Sequence, residues 1–220
     1  MAYIDFIEKI HKSSKRDYVG QRVLGVNKAA CAKISKQFGK DYWDGDRKYG
    51  YGGYKYDGRW YDFAQNIINH YQLTSESKVL DLGCGKGYLL YEFTQILPGI
   101  EICGMDISQY AIEHAKEEVK PYLSVSNILE LSFETKQFDL VLSINVLHNL
   151  YIDGLWSAVK EMERVGKEKY IVVDSYRNEE ERVNLLYWQL TCECFYMPQE
   201  WEWIYNQCGY KGDYSYIYYE

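Results

Sequence analysis

The residues with the clearest chemical potential lie in the range Lys78–Leu90. A short apolar run ends at Asp81, and Gly83, Gly85 and Gly87 follow before an apolar helical pattern begins. This order predicts a buried strand, a tight loop and a helix. Glycines leave the backbone amides of such a loop open to a ligand, and amides at a helix N-terminus favour a nucleotide. The Asp81 carboxylate would accept hydrogen bonds from loop amides or from a cationic amine, and it would repel a pyrophosphate.

The spacing of the glycines separates two nucleotide cofactors. The dinucleotide fingerprint G-x-G-x-x-G, counted from Gly83, needs a third glycine at position 88, where the chain has Tyr88. The observed pattern is an acid followed by G-x-G-x-G. It resembles motif I of the class I S-adenosylmethionine (SAM) dependent methyltransferases. The residues that this resemblance implies at the cofactor are Asp81, Gly83, Cys84, Gly85 and Gly87.

The next strand end carries an acid at the distance that nucleoside binding requires. Asp106 follows a predicted strand at 100–105 and lies 19 residues beyond Gly87, the length that one helix and one strand need. An acid at this place can accept both ribose hydroxyls of a nucleoside. It serves SAM and NAD equally, and the alternative is an Asp that only caps the following helix.

Two later turns extend the resemblance, which covers about residues 76–175. Asn127 follows the third predicted strand, where the family presents an acid or amide to the adenine amine; the alternative is an ordinary loop residue. The predicted strand Phe138–Ile144 resembles motif IV of the family, in which a polar turn after the strand faces the transferred methyl group. The resemblance adds these residues to the cofactor set: Ile107, Asn127, Ile128 and Ser143.

His148 lies in that polar turn and is the best candidate for a catalytic base. An imidazole with a pKa of about 6.5 suits proton removal at neutral pH, and the carboxyl ends of parallel strands face the ligand crevice. The alternative is a His that only donates a structural hydrogen bond. Weaker catalytic candidates are Tyr49, Tyr51, Asn145 and Asn149.

Residues 41–61 alternate glycine with aromatic side chains, and Asp57-Gly58 is a strong turn signal. The segment, which we call the aromatic segment, is predicted not to form a regular helix. We expect it to close as a lid whose aromatic faces attract the sulfonium of SAM and exclude water. The alternative is a surface loop held by aromatic packing. We expect Arg59 to bind a carboxylate or phosphate of the cofactor or substrate.

The elements predict a single domain, residues 1–220, because the chain is too short for two comfortable cores. Residues 1–75 supply N-terminal helices and the lid, and residues 76–220 supply an α/β Rossmann-like core. The resemblance implies a mostly parallel seven-stranded sheet with an antiparallel last strand. Two helices are expected before residue 40, the first through Ile4, Ile7 and Ile10 and the second from Val23 through Val26 to Phe38. Basic residues outnumber acids there, which predicts a solvated helix face or a positive lip for an anionic acceptor.

The composition of the chain limits the kinds of partner that the protein is expected to bind. The net charge is −7 without a basic run, so nucleic acid is a poor substrate. The sequence shows neither a signal peptide nor an apolar stretch of membrane-spanning length, which predicts a cytoplasmic protein without a membrane partner. The pattern Cys192-x-Cys194 with Cys208 does not match a zinc knuckle, so no metal is expected. A homodimer is left open.

These patterns together predict methyl transfer from SAM, with S-adenosylhomocysteine (SAH) as product, to a small molecule. The acceptor atom would be a hydroxyl or carboxylate oxygen or an amine of a sugar-like or ring-containing metabolite. A weaker similarity to bacterial small-molecule methyltransferases, of surface carbohydrates or secondary metabolites, agrees with this. The alternatives are an NAD(P)-dependent oxidoreductase and a catalytically inert SAM-binding regulator.

Overall fold

The computed structural model describes residues 1–12, 17–20 and 27–220. A sheet whose six described strands all run parallel forms its centre, in the order β3-β2-β1-β4-β5-β6. The strands are β1 Lys78–Leu82, β2 Glu101–Asp106, β3 Leu123–Val125, β4 Phe138–Ile144, β5 Gly166–Asp174 and β6 Asp213–Ile217. The chain order reverses at β1 and β4, so the crevice at the carboxyl ends of these two strands is the expected ligand position.

Helices connect the strands and cover both faces of the sheet. The described helices are α1 Glu8–His11, α2 Lys28–Ser35, α3 Lys40–Asp44, α4 Tyr61–Tyr71, α5 Tyr88–Ile96, α6 Gln109–Glu113, α7 Ile152–Val165, α8 Glu179–Trp188 and α9 Pro198–Cys208. Two short 3₁₀ turns lie at Lys120–Tyr122 and Leu147–Asn149. Every helix in the described part of the chain is too short or too polar to span a membrane.

The core has two layers because successive strand residues point to opposite faces of the sheet. Val79 and Leu140 pack against α4 and α5 on one face. Leu80 and Val141 pack against α7 and α9 on the other. All four side chains are fully buried, as expected for parallel strands covered on both sides.

The last strand corrects the sequence prediction of seven strands with an antiparallel end. The described chain has six strands, and β6 pairs parallel with β5 over its whole length. Helices α8 and α9 lie between these two strands, and a helical crossover returns the chain to the same end of the sheet, which gives parallel pairing. The outer edge of β6 contacts the N-terminal segment, since Ile4 N donates to Tyr214 O at 2.9 Å and Tyr214 N donates to Ala2 O at 3.0 Å.

This edge contact also changes the predicted first helix. Residues near Ile4 bond to β6, so helix α1 begins only at Glu8, where Asp5 Oδ1 accepts from Glu8 N at 2.9 Å. In the described part of the second predicted helix, Lys28–Ser35 is helical, so the helix ends before the predicted end at Phe38, which has a φ of 49°. The residues Val23 and Val26, with which that prediction began, lie outside the described residues.

Candidate functional site

The loop after β1 has a backbone that only glycine adopts without strain. Gly83, Gly85 and Gly87 all have positive φ values, of 89°, 54° and 72°. A Cβ built on Gly83 would lie 2.0 Å from Val146, and one on Gly85 would lie 2.9 Å from the Trp43 ring. The glycines therefore allow both the turn and the close approach of neighbouring walls.

Asp106 organises this loop. Its Oδ2 accepts from Gly85 N at 2.8 Å, and its Oδ1 accepts from Ser108 N at 2.8 Å. Burial raises the pKa of the Asp106 carboxyl, and the two amide bonds act in the opposite direction. Each carboxylate oxygen keeps further lone pairs, so Asp106 stabilises the loop and can still accept ligand hydroxyls.

Asp81 is the least satisfied carboxylate of the site. It is 3% exposed, and its Oδ1 has no hydrogen-bond partner among the described residues. Burial, followed by the nearby Asp106 charge, raises the pKa of Asp81 to about 7. A buried acceptor without a donor is costly, and a positive charge on the ligand side of the glycine loop would stabilise the ionised form of this carboxyl.

A cavity of about 240 Å³, which we call the smaller cavity, opens at the carboxyl ends of β1 and β2. The predicted cofactor residues in its wall are Gly83, Asp106, Ile107, Asn127 and Ile128. Asn127 Oδ1 accepts from Leu129 N at 3.1 Å, which fixes the orientation of the amide. The other side of the cavity is aromatic, with contributions from Phe38, Tyr42, Trp43 and Tyr51.

The remaining predicted cofactor residues of the core support the loop from behind and line neither cavity. They are Asp81, Cys84, Gly85, Gly87 and Ser143. Ser143 Oγ donates to Leu82 O at 3.2 Å and so joins β4 to β1. Burial raises the pKa of the Cys84 thiol well above its ordinary value, so this thiol is protonated and unreactive.

A second cavity of about 490 Å³, the larger cavity, adjoins the first. Its wall comes from distant parts of the chain: the N-terminal segment, the aromatic segment, the turn after β4, the end of β5, the loop after α8 and the C-terminal residues. The predicted residues His148, Tyr49, Tyr51 and Arg59 all line it. Arg59 Nε donates to both carboxylate oxygens of Asp57 at 2.9 Å, so its guanidinium is already oriented.

The two cavities meet at four residues that line both: Tyr42, Tyr51, Asn145 and Asn149. Asn145 has a φ of 61°, which is uncommon for a residue other than glycine. The Oδ1 atoms of Asn145 and Asn149 are buried without a partner among the described residues. The junction therefore presents two amide oxygens that can accept hydrogen bonds from bound molecules.

His148 lies at the base of the larger cavity and is 2% exposed. Its Nδ1 accepts from Asp174 N at 3.1 Å, and its Nε2 lies 3.5 Å from Asp174 Oδ2. Burial lowers the pKa of His148, and the Asp174 carboxylate opposes this shift. The imidazole is therefore neutral at pH 7, with its proton on Nε2 facing Asp174. The amide side chain of Gln189 donates to the same carboxylate oxygen.

The aromatic segment covers the glycine loop. Its first residues correct the prediction of an irregular segment, because they form the short helix Lys40–Asp44. From this helix, the Trp43 indole donates to Ser108 Oγ at 2.9 Å and stacks on Tyr51 with ring centroids 5.3 Å apart. The beginning of the segment is thus packed directly against the smaller cavity.

A buried ion pair fastens this segment to the glycine loop. Lys86 Nζ lies 2.8 Å and 2.7 Å from the two carboxylate oxygens of Asp44 and donates to Tyr54 O at 2.9 Å. Tyr110 Oη also donates to Asp44, at 2.9 Å. Burial would raise the pKa of Asp44, but the bonds from Lys86 and Tyr110 lower it overall. The charged pair is therefore retained at neutral pH.

Sequence reasoning missed several of these residues. Asp174 is the last residue of β5, where the apolar run 170–173 ends in an acid, and this pattern, which also marks Asp106, could have identified it. Lys86 lies inside the glycine motif, but its partner Asp44 is 42 residues away and nothing local indicates the pairing. Within the described ranges, no group of three His, Cys, Asp or Glu side chains is arranged to hold a metal ion.

Comparison with known proteins identifies the class. A family model described as a methyltransferase domain matches residues 73–218, and the chain belongs to this family of class I SAM-dependent methyltransferases. The glycine loop, Asp106 and the unpartnered Asp81 oxygen fit a nucleoside with a cationic amine, as SAM has. The alternative of a nicotinamide cofactor is thereby set aside.

Two curated relatives are malonyl-[acyl-carrier protein] O-methyltransferases. That of Legionella pneumophila is 33% identical over 92 residues, covering 40% of this chain and 32% of the relative. That of Priestia megaterium is 35% identical over 86 residues, covering 36% and 31%. The chain therefore spans about a third of the length of each.

Two solved structures share the fold. A SAM-dependent methyltransferase from Archaeoglobus fulgidus has a TM-score of 0.54 at 23% identity, covering 67% of this chain and 66% of that one. The geranyl diphosphate C-methyltransferase of Streptomyces coelicolor, solved with SAH, has a TM-score of 0.54 at 13% identity, covering 66% and 59%.

Proposed function

We propose that the chain transfers a methyl group from SAM to a small molecule held in the larger cavity. The observation that carries this proposal is the junction of the two cavities at Tyr42, Tyr51, Asn145 and Asn149. A nucleoside in one cavity and an acceptor in the other would meet there. Methyl transfer is an in-line displacement, so holding the two reactants at such a junction is the main catalytic requirement.

On the cofactor side, each residue is assigned to the part of SAM that its charge or polarity suits. The Asp106 carboxylate accepts the ribose hydroxyls, and the Asn127 amide oxygen, which has a second lone pair, accepts the adenine amine. Ile107 and Ile128 contact the base. Asp81 acts through the glycine loop on the amine of the methionine portion, and Arg59 binds its carboxylate. When bound, SAM supplies a methyl group activated by its sulfonium.

On the acceptor side, we propose a sugar-like or ring-containing metabolite that is methylated at a hydroxyl or carboxylate oxygen or at an amine. The aromatic walls from Tyr49, Tyr51 and Trp188 suit stacking on such a molecule. The two named relatives are O-methyltransferases, which supports oxygen as the acceptor atom.

His148 and Asp174 would manage the proton of a hydroxyl acceptor as a pair. The lone pair of His148 Nδ1 is engaged by the Asp174 amide and Nε2 already carries a proton, so the imidazole has no free site for the proton of the acceptor. The Asp174 carboxylate, which also lines the larger cavity, would take that proton, and the N–H of His148 Nε2 would orient the carboxylate. We therefore assign base catalysis to the pair, with Tyr49 and Tyr51 as orienting hydroxyls.

Calorimetry with SAM, SAH and NAD, followed by a broad acceptor panel with radiolabelled SAM, tests the proposal. We expect binding of SAM and SAH but not of NAD, and label transfer to at least one metabolite. Binding of SAH without transfer to any member of the panel would favour the inert regulator. Homodimer formation and a cytoplasmic location stay predictions; light scattering checks the first.

A further inference from the structure

We infer that Asn145 and Asn149 hold the reacting group of the methyl acceptor through their side-chain oxygens, so that this group is a hydrogen-bond donor, an amine or a hydroxyl, and not a carboxylate. The inference rests on the proposed function. It narrows the acceptor atoms considered there to those that carry hydrogen, and it assigns the two residues that bind them.

The first support is a pair of buried oxygens without a donor. Among the described residues, no group donates to Asn145 Oδ1 or to Asn149 Oδ1, and both atoms are buried. A buried carbonyl oxygen without a hydrogen bond is costly, and folded proteins retain few of them. Both residues line both cavities, so a donor on a molecule bound at the junction would satisfy these oxygens.

The second support is the rigidity of the turn that carries the two side chains. Asn149 Nδ2 donates to Asn145 O at 3.3 Å, and this bond assigns the nitrogen and the oxygen of the Asn149 amide. Asn145 N donates to Val172 O at 2.9 Å, and Asn149 N donates to Val146 O at 2.9 Å. The two oxygens therefore belong to one fixed turn, and a single group at the junction can approach both.

The third support is the charge at the base of the larger cavity. The Asp174 carboxylate is 1% exposed and lines this cavity beside the neutral His148. A carboxylate acceptor would bring a second negative charge toward Asp174, and it would offer no hydrogen to either amide oxygen. A neutral primary amine can offer one hydrogen to each amide oxygen, and a hydroxyl can offer one to either.

The same hydrogen bonds orient the reacting atom. When its hydrogens point at the amide oxygens, the lone pair of the amine or hydroxyl is free to point at the methyl carbon, which is the alignment that displacement needs. A bond forms between the acceptor atom and the methyl carbon, the bond from that carbon to sulfur breaks, and its electron pair stays on the sulfur of SAH. The proton that the acceptor loses passes to the Asp174 carboxylate.

Sinefungin tests the inference without an identified acceptor. It is an analogue of SAH in which a carbon that bears an amino group replaces the sulfur, so its amine takes the place of the transferred methyl group. Calorimetry compares its affinity with that of SAH. We expect sinefungin to bind about tenfold more tightly, because hydrogen bonds from a charged donor are stronger than those from a neutral one.

Substitutions at the two residues locate the partners of this amine. Asn145 has a φ of 61°, which glycine adopts without strain, so Asn145→Gly removes the oxygen and preserves the backbone. In Asn145→Gly and in Asn149→Ala, the preference for sinefungin over SAH should fall to about twofold or less. Asn145→Asp keeps an oxygen acceptor and should retain the preference. The ratio of the two affinities cancels any general change in the cofactor pocket.

Two residues outside both cavities provide matched controls. Gln72, which directly follows α4, has a similar left-handed backbone with a φ of 53°, and Asn66 is exposed on that helix. Gln72→Gly and Asn66→Ala should leave the preference for sinefungin unchanged. Melting temperatures of the SAH complexes verify that all the variants are folded.

The product of methyl transfer tests the class of the acceptor. A methyl ester, which is the product from a carboxylate, releases its methyl group as methanol in alkali, whereas a methyl ether or a methylamine does not. We expect the radiolabel that is transferred to a member of the acceptor panel to stay in the product after treatment with alkali.

Three results would overturn the inference. The first is equal affinity for sinefungin and SAH in the unmodified protein. The second is a preference for sinefungin that survives in both Asn145→Gly and Asn149→Ala. The third is release of the transferred label as methanol. Failure of the unmodified protein to bind SAH would instead contradict the proposed function.

Discussion

The two cavities are built in opposite ways. The predicted cofactor residues in the wall of the smaller cavity lie at the carboxyl ends of β1, β2 and β3 or directly after them, and its aromatic wall comes from residues 38–51. The larger cavity is assembled from six separate parts of the chain, including residues as far apart as His11 and Tyr219. If the two cavities are assigned as proposed, the predicted cofactor residues are encoded locally in the sequence, whereas the acceptor site depends on tertiary assembly.

The strongest test of this division is His148→Ala, which should damage only the acceptor side. We expect turnover to fall about 100-fold or more, the usual contribution of acid–base catalysis, with SAH affinity unchanged. Single-turnover kinetics and calorimetry measure the two effects. The exposed His114, which directly follows α6, is the matched control, and His114→Ala should keep full turnover. Full turnover in His148→Ala would contradict the assignment to the pair.

The converse test is Asp106→Asn, which should damage the cofactor side. Hydrogen bonds to a charged group contribute about 1.5 to 3 kcal/mol each, so SAH affinity should fall at least tenfold. Binding of a methyl acceptor from the panel at saturating SAH should change less than threefold. Asp153→Asn, an exposed carboxamide substitution on α7, serves as the control for calorimetry. Equal losses of affinity for SAH and for the acceptor would mean that the two cavities do not act separately.

SAH affinity should also depend on pH, because Asp81 attracts the amine of the ligand through the glycine loop only when its carboxyl is ionised. Its pKa is raised to about 7, so the carboxyl is mostly protonated at pH 6 and mostly charged at pH 8. SAH affinity should therefore rise about tenfold between these values. The free energy of unfolding of the ligand-free protein changes in the opposite direction. Between about pH 4 and 7 the folded state binds the Asp81 proton more tightly than the unfolded state does, so the protein loses stability as the pH rises through this range.

Calorimetric titrations with SAH at several pH values check this dependence. In Asp81→Asn the position is neutral throughout, so the rise should flatten to less than threefold. A rise of the same size in that variant would assign the titration to another group.

The smallest effect is expected at the ion pair that joins the aromatic segment to the glycine loop. Lys86→Met leaves Asp44 partly buried without its ammonium partner, which should lower the free energy of unfolding by about 2 kcal/mol. SAH affinity should fall only about threefold, since Trp43 and Tyr51 still cover the loop. Urea unfolding measures the first quantity. Lys167→Met breaks an exposed pair with Asp139 and should cost less than about 0.5 kcal/mol.

The division also explains what could be predicted from the sequence. Strand β4 and the glycine loop were predicted correctly because apolar runs and glycine spacing are local signals. Five of the predicted cofactor residues line the smaller cavity for the same reason. The ion pair of Lys86 with Asp44 could not be derived in this way, because it joins side chains that are 42 residues apart in the sequence. The prediction of an antiparallel last strand, which came from the family resemblance, was wrong. The helical crossover between β5 and β6 makes β6 parallel to β5.

The contact of the N-terminal segment with β6 has a consequence for folding order. His11 Nε2 lies 2.8 Å from Tyr218 O across a sequence separation of 207 residues, and both segments line the larger cavity. Contacts of such separation close large loops and form late, whereas the residues that line the smaller cavity lie within 38–150. A partly refolded chain should therefore complete the wall of the smaller cavity before that of the larger one.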